Sequence, residues 1–80
     1  MKLGDIVLIT EHIENNHGLY PCKGWIGTVS KIFEKVFYIS MDWGIADVGN
    51  YKIRNAPYYI TEQKFGFDDP HMIIGNEVVK

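Results

Sequence analysis

The sequence predicts an all-β protein, five short strands folded as a small barrel or a pair of packed sheets. Three observations carry this. Aromatic residues form 14% of the 80 residues, mostly Tyr and Phe, and such side chains suit a pleated surface better than a helix. No stretch repeats apolar residues at i, i+3, i+4 and i+7 over ten or more positions, as an amphipathic helix would. Short β-rich runs instead alternate with clusters of Gly, Asn, Asp and Pro, the residues that build turns.

The elements follow in order. Residues 5–10, DIVLIT, open after Gly4 and read as the first strand. Residues 11–24 contain Asn15, Asn16, Gly18, Pro21 and Gly24, the chemistry of a long loop. Two dense β-formers come next, WIGTVSKIF at 25–33 and VFYISMD at 36–42, with the polar pair Glu34 and Lys35 suited to a hairpin between them. Gly24 and Gly27 stand at the entry to the first of these. A glycine inside a strand marks a bulge, a bend or a close backbone approach, and a small barrel needs a bend. Pleat parity in the second run turns Phe37, Ile39 and Met41 to the core and Val36, Tyr38, Ser40 and Asp42 outward. A turn at 43–50 then leads to YKIR at 51–54, and YYITEQ at 58–63 closes the set. These elements define a barrel over residues 1–63. The tail at 64–80 is too apolar for simple disorder. It is expected to extend the domain, with HMII packing on the barrel or adding a strand and NEVVK able to pair at an open edge.

Composition bounds the function. An apolar fraction of 46% and a charged fraction of 22% are those of an ordinary globular domain. No apolar run nears the ~20 residues of a membrane span. The N-terminal MKLGDIVLI is too short in its apolar run for a signal peptide. The lone Cys22 fits a reducing compartment, so a cytoplasmic location is expected. The formal charge is −2, distributed as +2 over residues 20–60 and −4 over the two ends.

Catalytic motifs are sparse. His12, His17 and Cys22 fall five apart within one loop, but a structural zinc site normally takes four ligands in closer pairs. Asp68 and Asp69 before Pro70 read as solvated turn carboxylates. There is no phosphate-cradling Gly-rich loop and no G-x-S-x-G. The residues therefore imply no enzyme, no metal and no cofactor.

Two resemblances bear on the fold. Gly27, Val29 and Ile32 fit the G-x-V-x-x-I spacing of the KOW-type signature, which this segment resembles. Residues 27–60 are also similar to the small SH3-like domain of Mind bomb and HERC-type ubiquitin ligases. Gly27-Thr28-Val29 matches outright, and Ile39-Ser40-Met41-Asp42-Trp43-Gly44 follows V-x-W-D-x-G with Met41 in place of the tryptophan. Tyr51-Lys52 follows the family's Y-R pair, and Tyr58-Tyr59-Ile60 its closing strand. Arg54 replaces a family glycine, and the closing Asp is absent. The resemblance implies a five-stranded SH3-like barrel that binds peptides or proteins on its surface, and it carries over none of the ligase chemistry.

The candidate contact residues are Tyr20, Trp43, Tyr51, Lys52, Arg54 and Tyr58. Tyr20 closes the long loop, and Trp43 precedes Gly44 at the end of the central hairpin, either capping the barrel or standing exposed. If the aromatics converge they form a strip for an extended peptide, with Lys52 and Arg54 selecting an acidic partner. A protein or peptide partner, in an accessory or inhibitory role, is the leading expectation. The alternative is KOW-like nucleic-acid or ribonucleoprotein binding, with bases stacked on Tyr20, Trp43 or Tyr51 and phosphates tracked by Lys23, Lys31, Lys52 and Arg54. The acidic balance disfavours it. No membrane partner is expected, and the tail leaves an edge-strand dimer open.

Overall fold

The computed structural model describes residues 1–41, 57 and 59–76. Its seven strands are β1 (Asp5–Ile9), β2 (Ile13–Asn15), β3 (Gly18–Tyr20), β4 (Ile26–Ile32), β5 (Val36–Met41), β6 (Glu62–Gly66) and β7 (His71–Asn76). The protein is all-β, with no helix among the described residues. Five strands form one antiparallel sheet in the order β6-β5-β4-β1-β7, while β2 and β3 pair as a separate hairpin.

Two tight turns set up the centre of the sheet. Trp25 N–H donates to the Cys22 carbonyl at 3.1 Å, and Gly24 within that turn has φ +89°. A type II turn needs this left-handed residue at its third position, and glycine supplies it without steric cost. The turn delivers Trp25 to β1, where Ile9 N–H donates to the Trp25 carbonyl at 2.9 Å. At the far end of β4, Phe33 N–H donates to the Val36 carbonyl at 2.8 Å. That bond closes a hairpin across Glu34 and Lys35, where the sequence places it.

Gly27 fills a different need. It faces Met41 across β5, and a Cβ built on it would lie 2.5 Å from the Ser40 carbonyl oxygen. The close backbone approach allowed by the sequence is the one observed. Bending comes from elsewhere: the register slips by one residue at Ser30 in β4 and at Ile74 in β7, and such β-bulges increase local twist.

Parity in β5 is as expected, with Phe37, Ile39 and Met41 buried. They meet Val7, Ile9, Cys22, Trp25, Val29 and Phe65 in one cluster, flanked by half-buried Ile13, Tyr20, Ile60 and Phe67. Phe37 is its hub, with ring centroids of Phe67, His71 and Phe65 at 5.2, 5.1 and 6.2 Å. Leu8 and Ile26, paired in register, are buried on the opposite face of the sheet.

Three features differ from the sequence reading. The sheet is open among the described residues, β6 and β7 being its edges, where a barrel was expected. Its bulges bend it, but no edge-to-edge pairing closes it. Residues 11–24 are more ordered than a loop, since they contain β2 and β3. The last expected strand starts late, at Glu62, because Ile60 N–H is engaged in a turn with the Pro57 carbonyl at 2.9 Å. The turn at 43–50 and the strand at 51–54 lie outside the described residues.

Candidate functional site

Tyr20 is the one candidate contact residue within the described part of the chain. Trp43, Tyr51, Lys52, Arg54 and Tyr58 lie outside it. The β2–β3 hairpin positions Tyr20 by pairing it with Ile13, so both rest on the core while Glu14 and Leu19 face away. After it, Cys22 N–H donates to the Tyr20 carbonyl at 2.9 Å across Pro21. The fixed φ of proline suits this three-residue reversal.

The Tyr20 ring meets the Trp25 indole edge-to-face, with centroids 5.3 Å apart. Its hydroxyl donates to Gln63 Oε1 at 2.9 Å, and Gln63 Nε2 donates to the Lys64 carbonyl at 3.3 Å. Burial pushes the Tyr20 phenol above its ordinary value of 10.0, and Cys22 and the Tyr59 hydroxyl raise it further. Tyr20 is therefore an anchored neutral donor, with its ring serving as a wall. Tyr59 stands 72% exposed, and Leu19 on the outer side of the hairpin is also exposed. Trp25 Nε1 is buried without a hydrogen-bond partner among the described residues, which leaves the Tyr20–Trp25 contact aromatic rather than polar.

A second cluster occupies the outer face of β4, β5 and β6. Lys31, Tyr38 and Lys64 lie side by side across the three strands. Lys31 Nζ sits 5.2 Å from the Tyr38 ring centroid and 3.2 Å from Glu62 Oε1. Phe33 packs edge-on against Tyr38 at 5.8 Å and remains 54% exposed. Glu62 Oε2 also accepts from the Ser30 hydroxyl at 2.8 Å. The Ser30 bond first, and then the Lys31 bond, hold the Glu62 carboxyl below its ordinary value. Nothing in the sequence singles out Phe33, since parity loses its meaning at a strand end, and Tyr59, expected in the closing strand, stands in a turn instead.

The residues weighed as metal ligands do not converge. Cys22 is fully buried, its Sγ donating weakly to the Glu11 carbonyl at 3.8 Å, while His12 Nδ1 accepts from Lys23 N–H at 3.2 Å. Among the described residues no three His, Cys, Asp or Glu side chains are grouped to hold an ion. No helix among them is long and apolar enough to cross a membrane.

Fold and surface together define a small all-β protein with an open antiparallel sheet and exposed aromatic side chains. The chain matches no family model, no curated protein and no solved structure.

Proposed function

We propose that this chain is a small non-enzymatic binding module that recognises a protein or peptide through aromatic side chains. The observation that carries the reading is the contrast between Tyr20, locked by Trp25 and Gln63, and the exposed Tyr59, near enough to act on the Tyr20 phenol. A ring held in place next to a largely exposed one offers contact area at low entropic cost, which is why tyrosine is favoured at protein interfaces. Trp43, Tyr51, Lys52, Arg54 and Tyr58 complete the surface in this reading. The module acts in the cytoplasm as an accessory or inhibitory factor of a larger complex. Its fold is of the SH3-like kind, a reading supported by the matches at Gly27-Thr28-Val29 and around Met41 and by the bulged five-stranded sheet.

Affinity capture with mass spectrometry tests it, using the full chain and a Tyr59→Ser variant. A partner retained by the first and lost by the second is the expected result. Equal retention by both would remove the aromatic surface from the reading.

A second reading rests on the Lys31–Tyr38–Lys64 row with Phe33 beside it. A basic and aromatic face of this kind suits stacked bases and phosphates, the KOW-like alternative. The net charge of −2 and the Glu62 carboxylate on Lys31 weigh against it. Salt-sensitive retention on heparin or single-stranded DNA at low salt would reverse the order of the two readings; passage straight through supports the first.

A further inference from the structure

The two edges of the sheet are not alike. Hydrogen-bond parity shows which backbone groups each turns outward, because residues of an antiparallel strand alternate between its two neighbours. On β5 and β6, Met41 N–H donates to the Thr61 carbonyl at 2.9 Å, so Gln63 and Phe65 bond to β5 while Glu62, Lys64 and Gly66 face out. That outer row is blocked. The Lys64 carbonyl accepts from Gln63 Nε2, and Gly66 donates to Asp69 Oδ2 at 2.7 Å and accepts from Asp69 N–H at 3.0 Å. Charged Glu62 and Lys64 guard the same edge, a common protection against stray strand pairing.

Among the described residues, β7 has no such protection. Ile9 bonds to β4 through Trp25 and Gly24, whereas Thr10 N–H donates to the Pro70 carbonyl at 3.2 Å. Even-numbered residues of β1 therefore serve β7. Leu8 exchanges bonds with Met72, and His71 and Ile73 direct their N–H and C=O groups to the open side. Residues 72–75, Met-Ile-Ile-Gly, include no charge and no proline. Met72 and Ile73 are 40% and 45% exposed.

We infer that the β7 edge is a homodimer interface, taken by the β7 edge of a second copy in antiparallel register centred on Met72. In that register His71 of each copy exchanges hydrogen bonds with Ile73 of the other, and the two Met72 side chains meet at the axis. No like charges are brought together. The bulge at Ile74 ends the straight run and confines pairing to this short segment. With β6 blocked, the five-stranded sheet has one usable edge among the described residues, so pairing through it closes at two and does not grow into a fibre. The contact is smaller than the ~1,200 Å² of standard interfaces, which sets a dissociation constant in the roughly micromolar-to-millimolar range. It uses none of the aromatic contact residues, so it stands apart from the proposed partner binding.

Sedimentation velocity of the full chain between about 10 µM and about 1 mM spans that range and tests the dimer. The expected result is a mass rising with concentration from one chain to two and no further. Ile73→Pro removes an outward N–H that β1 does not use, and Met72→Lys sets two charges against each other at the axis. Both are expected to weaken dimerisation at least tenfold, with near-ultraviolet circular dichroism unchanged. If Ile73→Pro fails to fold, Met72→Lys decides alone. A chain monomeric at the highest concentration, a dimer indifferent to Met72→Lys, or growth beyond two copies would each overturn the inference.

Discussion

Gly27 shows how much one missing side chain can matter. The Ser40 carbonyl oxygen occupies the space its Cβ would need, at 2.5 Å, and that oxygen belongs to a rigid ladder. Gly27→Val should cost about 3 kcal/mol or more through overpacking and displaced backbone, read as a lower urea midpoint. An unchanged midpoint would mean β5 can step aside. Tyr20→Phe removes the hydroxyl that donates to Gln63 Oε1 and should cost about 0.5–1.5 kcal/mol. At this scale the sequence is informative where a residue's type narrows its place: inward Phe37, Ile39 and Met41, and glycine at position 27. It is silent on Trp25, whose burial depends on the four-residue turn from Cys22, and on Tyr59, whose exposure depends on how 57–60 reverses.

Among the elements, β1, β4 and β5 are legible because each alternates or masses β-branched and aromatic residues over five or more positions. β2 and β3 are only three residues each. Turn-forming Asn15, Asn16 and Gly18 outweigh Ile13, Leu19 and Tyr20 over so short a span, so the hairpin reads as loop. Register is another property that composition does not encode. The slip at Ser30 brings Lys31 opposite Tyr38 and makes the basic row on the outer face. The tail could be read only as apolar and in need of cover; β7 finds that cover on β1. Deleting everything from His71 onward should expose the β1 edge, with its buried Val7, Leu8 and Ile9, and yield a chain that aggregates during refolding. Light scattering would follow it, and a clear, cooperative, monomeric product would show β7 to be dispensable.

For the whole molecule, pH reports how distant parts are tied together. Asp5 accepts from Asn76 Nδ2 at 2.7 Å and from Lys2 N–H at 2.8 Å. The Asn76 bond, then the Lys2 bond, lower its carboxyl below the ordinary 3.8. Glu62 is likewise held below 4.5 by Ser30 and Lys31. Depressed carboxylates stabilise the fold fully above their unfolded values, and that stability fades as pH falls through the folded ones. The denaturant midpoint should therefore drop below about pH 4.5, and Asp5→Asn with Glu62→Gln should flatten the fall. Tyr20 works at the other limit. Raised above 10.0 by burial, it stabilises below that value and ceases to as pH climbs through its folded value, an alkaline loss that Tyr20→Phe should abolish.

The place of β1, between β4 and β7, has a consequence for how the chain is made. β1 precedes both of its neighbours in the chain, and it receives the second of them only after residue 76 has been added. A nascent chain must therefore hold a half-covered hydrophobic strand until β7 has been made. Pauses late in the message would lengthen that exposure, while pauses before β4 would add little to it.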